Sequence, residues 1–502
     1  MSLQDRYPIH IYNSLSRKKE RFEPLNHPFV GLYVCGPTVY NEVHLGNLRT
    51  FSSFDIVNRY LRHLGYKVRY VRNITDVGHL TNDSDDGEDK MLKQARLEQI
   101  EPMEVAQRYT NRFHRVTHQF NLLDPDIEPQ ATGHIIEQIE MIKDIIANGY
   151  AYESEGSVYF DVEKFQKDHL YGALSGRNIE DLYEFTRALE GKTDKKHAAD
   201  FALWKKADEK HIMRWPSPWS VGFPGWHLEC SAMSTKYLGE QFDIHGGGLD
   251  LQFPHHECEI AQNVGARGQE PVRYWMHSNM LTVNGQKMSK SLGNSFLPSE
   301  LITGAHPLLD KGFSPMTVRF FMLQSHYSST LDFSNDALKA AEKGYKRLMD
   351  ALDRLNEMNE DHFMEGVEGN GVDEQIAKLV DEMYINMSDD FNTAKALASI
   401  FDLVSIINRA KDDDAFQAQI SRKQFAALKQ SLPTFVQEVL GLTAESSSDS
   451  SYLDAAMDVL IEMRNLARKN RDFAMADQIR DRLKDAGITL KDGKDGTVYE
   501  LE

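Results

Sequence analysis

Residues 31–49 read GLYVCGPTVYNEVHLGNLR, and this stretch decides the fold. Val30 to Val34 is apolar and β-prone, Gly36-Pro37-Thr38 breaks it, and apolar residues then recur at Phe51, Phe54, Val57, Leu61 and Leu64 with helical spacing. Gly65 is suited to stop that helix, and Val68, Tyr70 and Val71 resume a strand. The unit is strand, helix, strand, so the two strands are expected to be parallel with a right-handed crossover. Ligands of such sheets sit beyond the strand C-termini. His44, Gly46 and the first free N–H groups of the helix therefore fall where a phosphate chain would lie, with Cys35 at the strand end beside them.

A distant polar loop, VNGQKMSKSLGN, brings Lys287 and Lys290 as cations for a triphosphate. In this order and about 240 residues apart, HLGN and KMSKS resemble the paired signatures of class I aminoacyl-tRNA synthetases. GWHLECSAM from Gly225, FDIHGGGLDLQFPHHECEIAQ from Phe242, RNITDV from Arg72 and DFNTAKA from Asp390 narrow the resemblance to cysteinyl-tRNA synthetase. The tail RDFAMADQIRDRLKDAGITLKDG carries it almost to the C-terminus. Two departures stand out: GHLTNDSDDG is inserted at 78–87 before Glu88-Asp89-Lys90, and Asn47 replaces the usual second histidine of the signature. The Asn47 amide still donates, but not as a cation.

The resemblance implies an α/β protein: a Rossmann-like parallel-sheet catalytic domain with an inserted α+β segment, then a helical bundle and a small C-terminal α+β domain. Its expected parts are 1–125 and 221–266 for the two halves of the catalytic domain and 126–220 for the inserted segment. A stem-contact region with the KMSKS loop follows at 267–331, then the bundle at 332–443 and an anticodon-binding domain at 452–502. A short strand pair is expected around Ile9 to Tyr12. Within the insertion, HIIEQIEMIKDIIANGY reads as helix, GSVYFDV as strand, and the aromatic, proline-rich Lys205 to Trp219 as a lid or its hinge. Leu338, Ala341, Tyr345, Leu348, Leu352 and Leu355 step by three and four, the stripe of a bundle helix. DHFMEGVEGNGVDE and AESSSDSS (444–451) read as linkers, and Asp492-Gly493 as a hairpin turn.

At 502 residues the chain needs several cores. It has no run of roughly 18 apolar residues and no signal-peptide core, so a cytoplasmic protein without membrane attachment is expected. Its three cysteines are too few for a disulfide framework, leaving reduced thiols or a metal site. The net charge of 57 − 76 = −19 argues against a generally basic nucleic-acid-coating surface. RNA contact must be local, and RNLARKNR, with Arg464, Arg468, Lys469 and Arg471, is the candidate.

Cys35, Cys230, His255 and Glu259 form the candidate metal site, His255 and Glu259 standing i and i+4 on one helix face behind Pro254. Thiolates with imidazole and a carboxylate suit zinc, and the resemblance implies one Zn2+ per chain held by these four. Cys258, at i+3 from His255, offers an alternative fourth ligand. Zinc would select the substrate thiol against serine, a discrimination that pocket shape alone makes only about 10²-fold for near-isosteres. By resemblance, His44, Gly46, Asn47, Lys287 and Lys290 bind ATP, which brings Mg2+, and His44, Lys287 and Lys290 serve catalysis. Thr75, Trp226 and His245 line the amino-acid pocket. The implied reaction joins L-cysteine to tRNA(Cys) through cysteinyl-adenylate in a monomeric enzyme. A related cysteine:aminosugar ligase and a catalytically silent RNA-binding paralogue are the alternatives.

Overall fold

The computed structural model describes residues 2–78, 90–177, 194–208, 211–363, 371–445, 448–470, 472–485, 488–493 and 496–501, and the backbone only of Lys290 and of residues 448–455, 458, 485, 489, 491–493, 496, 498, 500 and 501. Two compact units divide the chain, residues 1–442 and 443–502.

In the larger unit a parallel sheet runs Val272–Ser278, Phe242–Gly248, Phe29–Val34, Lys67–Arg72. The strand-helix-strand reading holds: the helix Leu45–His63 joins the two strands, and Gly65, at φ +98°, follows its end. Both faces of the sheet are covered, as parallel sheets require. Leu32 and Val34 join the core beneath Leu45–His63, whereas Tyr33 joins the core of the helices Leu228–Leu238 and His255–Arg267. At Gly246 a Cβ would stand 2.2 Å from the Phe54 ring, so only glycine lets helix and sheet approach this closely.

The sheet strand Val272–Ser278 lies beyond residue 266, and Val221–Pro224 belongs to a separate sheet. That second sheet is antiparallel, in the order Ala151–Ser154, Ser157–Phe160, Phe201–Lys206, Val221–Pro224, Trp215–Pro216. The stretch read as a lid, Lys205 to Trp219, thus starts and ends against this sheet, with the Trp219 ring 6.0 Å from that of Trp204. The helix Ile135–Ala147 packs against Leu228–Leu238 and His255–Arg267. The early strand pair is His10–Asn13 with Lys18–Arg21.

The KMSKS segment follows a tight hairpin, Leu281–Val283 with Gln286–Lys287, whose Asn284-Gly285 turn has both φ values positive. The helix Asn335–Glu357 buries the whole expected stripe from Leu338 to Leu355. It packs on Pro315–Leu323 and Thr393–Asp412. A buried ionic group ties these helices to the sheet. Arg319 donates to Asp55 at 2.5 Å, to the Leu440 carbonyl at 2.9 Å and to the Phe120 carbonyl at 3.1 Å, while Arg59 donates to Asp55 at 2.8 Å.

In the smaller unit, the helices Ser448–Lys469 and Phe473–Asp485 precede an antiparallel pair, Ile488–Gly493 with Gly496–Leu501. Two expectations are corrected here. Ser448 to Ser451 are helical rather than linker, residues 446–447 lying outside the described ones. Asp492 and Gly493 pair with Thr497 and Gly496 as the end of the strand. The inserted residues from His79 onward and residues 364–370 of the other linker also lie outside the described residues. No described helix is long and apolar enough to cross a membrane.

Candidate active site and metal centre

A cleft of about 420 Å³ opens beyond the C-terminal end of Phe29–Val34 and runs from His44 and Asn47 to Cys35, Cys230 and His255. Its floor is set by Gly36, whose Cβ would lie 1.6 Å from the Asn73 carbonyl oxygen. The Gly36 N–H donates to Asn73 Oδ1 at 2.8 Å, and Thr75 N–H to the Pro37 carbonyl at 3.1 Å, which joins the two strand ends.

At one end His44 caps the helix Leu45–His63. Its Nδ1 accepts from the Asn47 N–H at 3.3 Å, and Asn47 Oδ1 accepts from the His44 N–H at 3.1 Å. Asparagine at 47 thereby closes a capping box. A Cβ on Gly46 would meet both the His44 ring and Met288 Cε at 3.1 Å, so the two signatures, distant in sequence, are in contact. Met288 and Ser289 border the cleft. Lys287 is exposed and away from the cleft wall, and Lys290 opens a short 3-10 turn.

At the other end Cys35, Cys230, His255 and Glu259 bring four donor atoms within 4.8 Å of one another, all buried. Cys35 Sγ is 3.6 Å from Cys230 Sγ and 3.8 Å from Glu259 Oε1; His255 Nε2 is 3.4 Å from Cys230 Sγ and 3.3 Å from Glu259 Oε1. A tetrahedral zinc with bonds of about 2.0–2.3 Å has ligand-ligand edges of about 3.3–3.8 Å, so the donor set fits that ion. The electrostatics agree. Burial, with Glu259 and Glu229 nearby, pushes the Cys35 thiol up to about 12, and burial followed by Cys35 raises Cys230 well above the ordinary thiol range. A cation is what makes such a pair into thiolates. His227 Nδ1 sits 3.2 Å from His255 Nδ1 and orients the ring so that Nε2 faces the cluster.

A second set, Cys35, His245, His256 and Glu259, satisfies the same distance test. It is disfavoured because His245 Nε2 and Glu259 Oε2, 2.9 Å apart, are at hydrogen-bond rather than ligand-ligand distance. Cys35, Cys230 and His255 border the cleft, whereas His245 and His256 do not. His245, expected in the amino-acid pocket, is buried beside Glu259, its ring stacked on Trp275. Thr75 and Trp226 do border the cleft, and the Trp226 ring lies 4.6 Å from that of His255.

Cys258 stands outside both clusters, its Sγ 3.4 Å from the Tyr171 hydroxyl. Cys258→Ala is expected to keep its metal, while Glu259→Ala should weaken metal binding at least about 10- to 100-fold, read by titration with a chelating indicator. The reverse result would move the fourth ligand to Cys258.

Sequence reasoning missed Asn73 and Glu229, although both lie in quoted motifs, RNITDV and GWHLECSAM. Glu229 is 2% exposed, accepts a very short hydrogen bond from the Thr75 hydroxyl, and borders the cleft. Burial above all holds its carboxyl well above the usual range; the Thr75 bond lowers it, and Asp76 and Glu259 raise it further.

In the smaller unit Arg464 is buried, Arg468 and Lys469 are exposed, and Arg471 lies outside the described residues. The expected basic face is narrower than the charge run suggested.

The parallel sheet, with the HLGN helix and the KMSKS loop meeting at one cleft, is the catalytic architecture of a class I aminoacyl-tRNA synthetase. A methionyl-tRNA synthetase of Mycobacterium tuberculosis, solved with methionyl-adenylate, shares the fold with TM-score 0.59 at 15% identity, over 82% of this chain and 92% of that one. Residues 21–343 match the class I (C) tRNA synthetase catalytic domain, 383–445 the DALR domain, and 450–499 the cysteinyl-tRNA ligase anticodon binding domain. Cysteine–tRNA ligases of Phocaeicola vulgatus and Porphyromonas gingivalis are 55% and 53% identical, over 98% and 99% of both chains respectively. The chain belongs to the cysteine–tRNA ligase family.

Proposed function

We propose that this chain ligates L-cysteine to tRNA(Cys) in two steps within the one cleft. The observation that carries the reading is the continuity of the cleft, from the His44 cap and Met288-Ser289 to Cys35, Cys230 and His255. A nucleotide at one end and a thiol amino acid at the other leave the reacting groups between.

In the first step a carboxylate oxygen of cysteine bonds to the α-phosphorus of ATP, and pyrophosphate leaves with the electrons of the broken P–O bond. The carboxylate is already ionised, so no general base is needed, only alignment and neutralisation of the phosphate charge. His44, Gly46 and Asn47 hold the nucleotide at the helix N-terminus, and Lys287 and Lys290 approach from the opposite loop, with Mg2+ accompanying ATP. In the second step a hydroxyl of the terminal ribose attacks the cysteinyl carbonyl, and AMP leaves.

Thr75 and Trp226 bound the amino acid, and His245 acts on it only through Glu259. Cys35, Cys230, His255 and Glu259 hold one Zn2+ per chain. That ion would take the substrate as thiolate, which serine does not offer. The parts of the chain carry the roles their order suggests, with 452–502 contacting the anticodon arm. The enzyme works as a monomer in the cytoplasm.

The deciding experiment is aminoacylation of mixed tRNA with each amino acid in turn: only cysteine should be transferred, and transfer of another, or to an aminosugar alone, overturns the reading. Lys290→Ala is expected to slow adenylate formation about 10²-fold or more while cysteine affinity stays nearly constant, with a smaller effect at Lys287. Single-turnover adenylation at an unchanged rate would remove Lys290 from the role.

A further inference from the structure

Glu229 is an acidic side chain built into the cleft wall. It is 2% exposed, and its Oε2, itself buried, has no hydrogen-bond partner among the described residues. Its other oxygen accepts a hydrogen bond from the Thr75 hydroxyl, which itself accepts from the Asn73 amide at 3.1 Å. Asn73, Thr75, Glu229 and Cys230 all border the cleft. A buried carboxyl oxygen left without a partner is costly, and a cation or donor that reaches it removes that cost.

We propose that Glu229, aimed by Thr75, receives the α-ammonium group of the substrate amino acid through its unpartnered oxygen. This rests on the reading that the substrate thiol is held at Cys35, Cys230, His255 and Glu259. Glu229 directly precedes Cys230 in the first turn of Leu228–Leu238, so one helix end presents the thiol ligand and the ammonium acceptor together. The pair sorts thiols by charge: a compound with a thiol and a neighbouring ammonium completes both contacts, and a neutral thiol only one.

The test uses the full-length, zinc-loaded protein and calorimetric binding of cysteamine, which carries thiol and ammonium, and of 2-mercaptoethanol, which carries a hydroxyl in place of the ammonium. In the unmodified protein cysteamine should bind about 10- to 100-fold more tightly. Glu229→Gln should remove that advantage and weaken L-cysteine by a similar factor, leaving 2-mercaptoethanol, ATP affinity and zinc content unchanged. Equal loss of both thiols in the variant, or no loss of either, overturns the assignment of Glu229. If the variant does not fold, the unmodified protein still decides, because equal affinity for the two compounds is incompatible with an ammonium acceptor. Binding of neither compound overturns the thiol site itself, a different result from failure of Glu229 alone.

Discussion

Cys230→Ser is expected to weaken L-cysteine binding by about two orders of magnitude or more while ATP affinity changes little. Cys230 is 3.4 Å from His255 Nε2 and 3.6 Å from Cys35 Sγ, so its sulfur is central to the cluster rather than a rim donor. Serine cannot replace it, because a hydroxyl does not ionise at neutral pH and is a poor partner for a soft-ligand site. The nucleotide end is built from other elements, the Leu45–His63 helix and the KMSKS loop, and does not share this residue. Equilibrium binding of each substrate, together with elemental analysis, checks the split. Full activity in protein shown to contain no metal would sink the metal reading altogether.

The second large effect concerns the C-terminal unit. Because the larger unit ends at Leu442, itself fully buried there, a chain terminated after Glu445 should keep its catalytic core. Such a protein is expected to exchange pyrophosphate at the full-length rate. Its kcat/KM for tRNA should fall about 10²-fold or more, mainly in KM, and the remaining affinity should depend less steeply on salt as phosphate contacts are lost. Arg468 and Lys469 are among the exposed cations the cut removes. Measuring both half-reactions on the shortened chain separates the possibilities: undiminished tRNA charging would dismiss the anticodon-binding role of 452–502, and lost pyrophosphate exchange would show that the units are not separable.

Much of the sheet was legible because the Gly31 to Arg49 stretch carries its own punctuation, with a Gly-Pro break between a β-prone run and a helical stripe. The bundle helix was legible for a similar reason, its six apolar positions being the buried face. His245 was harder. Phe242–Gly248 is buried along its whole length, so no alternation in the sequence says which face a residue takes. The basic run misled because consecutive helical residues point about 100° apart. A run of charges therefore wraps around the helix, and Arg464 turns into the unit while Arg468 and Lys469 remain outside. Val272–Ser278 joins the main sheet and Val221–Pro224 a separate one, because the chain leaves and re-enters the main sheet, which spacing alone does not reveal.

The four cluster residues come from both sides of the inserted segment, with Cys35 and Cys230 separated by 195 positions. A metal ion held among them is thus also a crosslink. Closing a loop of that length removes on the order of 5 kcal/mol of chain entropy from the unfolded state, as a disulfide of similar span would. During synthesis the full set of donors is complete only after Glu259 has left the ribosome, by which time every strand of the inserted sheet has been made. Substrate selection and the final closure of the catalytic unit would then arrive together, and a half-made chain would possess neither.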